Sequence, residues 1–167
     1  LHPLVGDLLR QVGGDKVEVV DLIGEKGDPH TFEPRTDQIA KASGAKAYFV
    51  SGMGLEGFLP KLRSILPKDV RIVEVGASLP ALHGACEGHG HDHDHAHEQD
   101  PHWWHSVDLF RRATSVVAEE LSKEMPSERE SFEANATAYR KKLDELEKWM
   151  KREIVKIPKE RRKLASA

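Results

Sequence analysis

The chain has 167 residues, enough for one ordinary domain or one lobe of a larger protein, and so enough to bury a core of its own. Its 25 basic and 28 acidic side chains leave a formal charge of −3, which excludes the broad positive field that recruits nucleic acid or anionic lipid. A single cysteine, Cys86, excludes an intrachain disulfide and any thiolate-rich zinc site, so a bound metal must rely on histidine and oxygen.

His2 to Gly14 carries apolar residues at Leu4, Val5, Leu8, Leu9 and Val12, a helical spacing closed by a glycine pair. Val17 to Ile23 is short and β-branched, which predicts a strand. The loop GEKGDPHTFEP follows, then a helix over Thr36 to Ala42 and a strand at KAYFV, residues 46–50. The stretch SGMGLEGFLPKLRSIL turns through glycines into another helix, and RIVEV at 71–75 predicts a third strand. Helices and strands in alternation predict an α/β, Rossmann-like lobe, its parallel sheet flanked by helices. No stretch approaches the roughly 20 apolar residues of a membrane helix, and no basic-then-apolar signal region opens the chain at Leu1, although a cleaved signal would leave the same start.

Beyond Pro80 the pattern gives way to a histidine-rich segment over 83–99, too simple in composition to build a core and predicted to be a flexible loop. From Ser106 the chain is predicted helical to about Met125, where Pro126 breaks it. A second helix over 127–157 repeats apolar residues every three or four positions, at Phe132, Ala136, Tyr139, Leu143, Leu146, Met150, Ile154 and Ile157. At about 1.5 Å per residue it spans roughly 45 Å, longer than one lobe needs, so its first half reads as core packing and the whole as a spine leading elsewhere or half of a coiled coil. The expected organisation is a metal-binding α/β lobe over 1–125, the long helix over 127–157, and in 158–167 the lead-in to a further strand and a further unit.

Seven histidines fall within residues 88–105, GHGHDHDHAHEQDPHWWH, and they are of two kinds. His30 and His102 each end an Asp-Pro-His tripeptide, in loops expected at the carboxyl edge of the sheet, where open α/β folds place their ligands. Proline stiffens the backbone behind each histidine, so the pair can converge on one metal ion, although each could instead cap a turn. His89, His91, His93, His95 and His97 alternate with Gly, Asp and Ala; in a flexible segment they chelate in many near-equal combinations, a loose secondary trap rather than one rigid site. His2 and His83 read as ordinary surface residues. His105, just before the candidate N-cap Ser106, is either a spare ligand or a neighbour of the site. Trp103 and Trp104 read as packing around it.

The sequence resembles the metal-specific solute-binding proteins of ABC transporters, the zinc and manganese cluster called ZnuA/TroA-like. GDPHTFEPRTDQIAKASGAKAYFVSGMGLEGFLPKL is similar to that family's first-lobe signature, DPHWW to its second histidine motif, and NATAYRKKLDELEKW to the start of its interlobe helix. The matches run from about Gly13 to Leu164. The resemblance implies two α/β lobes joined by one long helix, with the metal in the cleft between them. It makes His30 and His102 the first-lobe ligands and residues 83–98 the acid- and histidine-rich loop of zinc members, and it assigns another histidine and a carboxylate to a second lobe. Two departures stand out: the family's leading strand has no counterpart before the first helix, and HSVDL follows DPHWW where the family often has Asp-Pro.

The resulting expectation is a receptor, not an enzyme, that captures Zn²⁺ outside the cytoplasm, as a periplasmic or lipid-anchored protein, and hands it to a membrane permease. Mn²⁺ is the alternative cargo, less favoured because it prefers more oxygen than two imidazoles supply. Storage by the histidine tract alone is a second alternative, and a zinc hydrolase with Glu33 as base a third, against which stands the lack of HExxH or a comparable motif. An uncovered apolar spine further predicts zinc-promoted association of copies of this chain.

Overall fold

A computed structural model describes residues 3–24, 27–80 and 100–163. The first helix, α1 (Pro3–Gly13), buries Val5, Leu8, Leu9 and Val12 along one stripe. Proline opens it where a missing N–H costs nothing. It ends where Gly14 takes a left-handed φ of +58° and a short 3-10 segment, Gly14–Lys16, follows.

The segment Val17 to Ile23 is not a strand, contrary to its β-branched pattern. The backbone is extended at Val17, with φ −128° and ψ 139°, but the carbonyls are met by side chains rather than by a neighbouring ladder. Gln38 Nε2 donates to the Leu22 carbonyl at 3.0 Å, and Arg10 reaches the carbonyl of Val19. β-branching sets extended backbone, whereas a strand also needs a partner edge. Leu22 and Ile23 are nonetheless buried, so the segment serves as core.

Helix α2 (Thr36–Lys41) leads to β1 (Ala47–Val50), then α3 (Leu59–Ile65) and β2 (Arg71–Glu74). The two strands pair in parallel, with Tyr48 opposite Ile72 and Phe49 opposite Val73. The pleat then divides the core. Phe49 and Val73 join α1 and the two later helices in one cluster, while Tyr48, Val50 and Ile72 join Leu22, Ile23 and Leu62 in the other. Burial on both faces explains why β1 reads as a continuous apolar run, whereas β2 is apolar only at Ile72 and Val73. The third predicted strand stops at Glu74, and Val75–Ser78 turns as a 3-10 segment.

Helix α4 (Val107–Glu124) starts at Ser106, whose hydroxyl accepts the Leu109 N–H at 3.4 Å. Ser106→Ala is expected to cost about 1 kcal/mol in denaturant unfolding of the metal-free protein, and Ser106→Asp, which restores an acceptor, to recover it. After a 3-10 turn at Pro126–Glu128, helix α5 (Arg129–Val155) runs 27 residues, about 40 Å. Its first half buries Phe132, Ala136 and Leu143 against α1 and α4. Its second half leaves Leu146, Trp149, Met150 and Ile154 exposed.

Beyond Pro158 the described chain makes a 3-10 turn at Lys159–Arg161, and residues 164–167 of the expected lead-in to a strand lie outside the described residues. The physical reason is local: Arg162 folds back and donates from Nε to the carbonyl of Ile157 at 2.6 Å and from Nη2 to that of Val155 at 2.9 Å. Carbonyls at a helix C-terminus have no partner within the helix, and a guanidinium satisfies them well.

Candidate metal centre

The two Asp-Pro-His tripeptides fold alike. Proline has no N–H, so the first backbone donor after each aspartate belongs to the histidine, and the aspartate accepts it. Asp28 Oδ1 takes the His30 N–H at 3.0 Å, and Asp100 Oδ1 takes the His102 N–H at 2.9 Å. Asp28 Oδ2 also accepts the Thr31 hydroxyl at 3.1 Å. In each case the backbone N–H of the histidine is the main influence holding the aspartate below the ordinary carboxylate range.

The histidine rings converge. His30 Nε2 and His102 Nε2 are 3.2 Å apart, with ring centroids 5.3 Å apart and planes tilted by 47°. Tetrahedral zinc with Zn–N bonds of about 2.0–2.1 Å sets two imidazole nitrogens about 3.3 Å apart. The pair is therefore spaced for a shared cation.

One ring is also held from behind. His102 Nδ1 lies 2.7 Å from Asp100 Oδ1. An ionised carboxylate only accepts, so this contact puts the proton on Nδ1 and leaves the Nε2 lone pair facing His30. The rings of Trp104 and His102 meet edge to face at a centroid distance of 5.1 Å and 73°.

His102 is anchored through its neighbour. Trp103 is fully buried, and its Nε1–H donates to Ser51 Oγ at 2.9 Å, just past the carboxyl end of β1. Residues Trp103–His105 form a 3-10 turn, which sets His105 one turn after His102, ring centroids 6.2 Å apart. Among the described residues no group of three or more His, Cys, Asp or Glu side chains is arranged to hold a metal. His89, His91, His93, His95 and His97 lie outside the described residues, as do His2, His83 and Cys86. Glu33 is exposed and paired with Lys61 at 3.3 Å.

Sequence reasoning credited proline with aiming the histidines and overlooked the aspartates. The signal was present in the same tripeptides: an Asp two residues before each candidate ligand is the pattern of a side chain capping its own loop. The buried Ser51 and Glu56 carried no comparable pattern.

A family described as the periplasmic component A of a zinc-uptake complex, ZnuA, matches residues 2–167. The manganese-binding lipoprotein MntA of Halalkalibacterium halodurans is 30% identical over 159 residues, 95% of this chain and 50% of that protein. The zinc-binding lipoprotein AdcA of Streptococcus pneumoniae is 35% identical over 149 residues, 86% of this chain and 30% of that protein. The zinc-bound ZnuA-like domain of the same AdcA superposes with a TM-score of 0.72 at 30% identity, over 87% of this chain and 50% of that domain. The chain thus spans half or less of the length of these relatives.

Proposed function

This chain belongs to the ZnuA family, and from that premise we propose that it is the first-lobe portion of an extracytoplasmic receptor that captures Zn²⁺ and delivers it to an ABC permease. The observation that carries the reading is the His30–His102 pair, two imidazole Nε2 atoms at zinc-ligand spacing on loops of unrelated sequence position. On this reading residues 1–125 form the metal-binding lobe, α5 within 127–157 is the interlobe helix, and 158–167 lead into a second lobe that supplies further ligands. The exposed apolar half of α5 supports that assignment, since a packed partner is what such a face fits. Extracytoplasmic placement, with or without a lipid anchor, is supported by relatives named as lipoproteins.

The arrangement binds and does not react. Two neutral imidazoles supply lone pairs to the cation, Asp100 keeps one of them in the ligating tautomer, and release requires movement that separates the loops. Glu33, the base a hydrolase would need, is exposed and pairs with Lys61. Zinc is preferred over manganese because the described donors are nitrogen. Relatives of both kinds exist, so the cargo is decided by metal analysis of the purified protein and by zinc and manganese titrations in competition.

The tract over 88–97 is proposed as a secondary, low-affinity store feeding the pair. Deleting it is expected to remove several weak zinc sites in calorimetry and to leave the tight site in place; loss of all binding would favour storage as the whole function. Acidification discriminates further. Only neutral imidazole ligates, and histidine ordinarily titrates near ~6.5, so zinc held by the tract should be present above that value and largely expelled by about pH 5.5. Unchanged stoichiometry at the lower pH would count against a histidine trap.

A further inference from the structure

The two histidine loops both lean on a third segment, Ser51 to Phe58, which leads from β1 into α3. On one side, the buried Ser51 receives the Trp103 indole N–H, one residue from His102. The Ser51 carbonyl also accepts the Gly76 N–H at 2.8 Å. The fit there is close: a Cβ on Gly76 would stand 2.7 Å from the Ser51 oxygen and 3.2 Å from Trp103 Nε1. On the other side, Phe58 meets Phe32, two residues past His30, edge to face at 5.4 Å and 79°. The space beside Gly57 is 3.9 Å from the His30 carbonyl oxygen.

Between these two contacts the chain makes a turn it would not choose freely. Gly52, Met53 and Gly54 all lie in the left-handed region, with φ of 82°, 55° and 78°. For Met53 that conformation carries strain, which persists only where the surroundings impose it. Glu56 imposes it. Its side chain is 4% exposed, and its two oxygens accept the Ser51 N–H at 2.6 Å and the Gly52 N–H at 3.0 Å. Burial raises its carboxyl above the ordinary range, and those two backbone donors oppose the rise. A buried carboxylate is costly unless its lone pairs are met, and here they are met by the backbone that must stay bent.

We propose that Ser51–Phe58 is a brace that sets the separation of His30 and His102, with Glu56 the positioning residue that locks it and the Ser51–Trp103 hydrogen bond its arm to His102. The proposal rests on the cation-binding reading above and deepens it: the divalent cation meets imidazoles already at ligand spacing, so binding does not have to order two separate loops.

Glu56→Gln keeps the shape of the side chain but presents an amide NH₂ where a second backbone donor needs an acceptor. Zinc affinity of the tight site, read by competition with a chromogenic chelator, is expected to fall about 10–100-fold, the range that supporting partners of metal ligands command. In the metal-free protein the NMR cross-peak between the His30 and His102 ring protons is expected to weaken or vanish, a change that a purely stabilising role would not produce while unfolding stays cooperative. Ser51→Ala and Trp103→Phe remove only the arm and are expected to lose the same cross-peak with about tenfold weaker binding; they decide the matter if the Glu56 variant does not fold. His30→Ala and His102→Ala serve as references. If either leaves tight binding intact, the two histidines do not share the cation and the brace falls with that reading. If both abolish it while the Glu56 variant, or the two arm variants, keep wild-type affinity and an unchanged cross-peak, the brace alone is overturned.

Discussion

Replacing His30 with alanine is expected to weaken the tightest zinc binding of the chain at least about 100-fold, above the range of about 10–100-fold that outer partners of metal ligands command. His102→Ala is expected to do the same. The two Nε2 atoms are 3.2 Å apart, so a cation between them is chelated by the pair, and either substitution leaves a single imidazole on an open surface. Groups that act as a unit are not additive, and the double substitution should therefore cost little more than either single one. Competition titration at low zinc reads this site without filling the weaker tract. Wild-type affinity in both single variants would show that the tight site lies elsewhere, whereas a loss in only one would make the other histidine a neighbour of the site.

The sequence led to this pair because the same tripeptide occurs twice and each copy falls in a predicted βα-type loop. It could not supply the distance, which depends on buried contacts far apart in the chain. Ser51 and Trp103 are 52 positions apart, and no periodicity links them. Elements with strong local signals were legible: α1 from its apolar stripe, α4 from Ser106, the break at Pro126, and α5 from its repeat. β1 was legible as an apolar run and β2 from its β-branched Ile72 and Val73. Val17–Ile23 misled because a β-branched run specifies extended backbone and not the edge it would pair with. The turn at Lys159–Arg161 was missed because it is organised by one arginine reaching back to the end of α5. Glu56 stood in plain view within SGMGLEGF, but a lone glutamate beside glycines looks like surface until its burial is seen.

Two aromatic residues on the same helix should behave in opposite ways when removed, and the contrast tests the division of α5. Phe132 is fully buried in the cluster that joins α1, α4 and α5. Phe132→Ala removes its contacts and leaves a cavity the surrounding helices cannot fully close, at an expected cost of about 3–5 kcal/mol. Against the roughly 5–15 kcal/mol that stabilises an ordinary domain, that is enough to unfold a marginal lobe, and chemical denaturation of the metal-free chain measures it. Trp149, nearly five turns later on α5, is 52% exposed. In this chain Trp149→Ala should shift stability by no more than about 0.5 kcal/mol, as a surface substitution does. If α5 is the interlobe helix, the same Trp149 substitution made in a longer chain that includes the proposed second lobe should cost several times more, because the indole is then covered. Equal and small effects in both chains would mean that the second lobe does not pack on this face, while a large effect in the present chain would place Trp149 in a contact of this lobe itself.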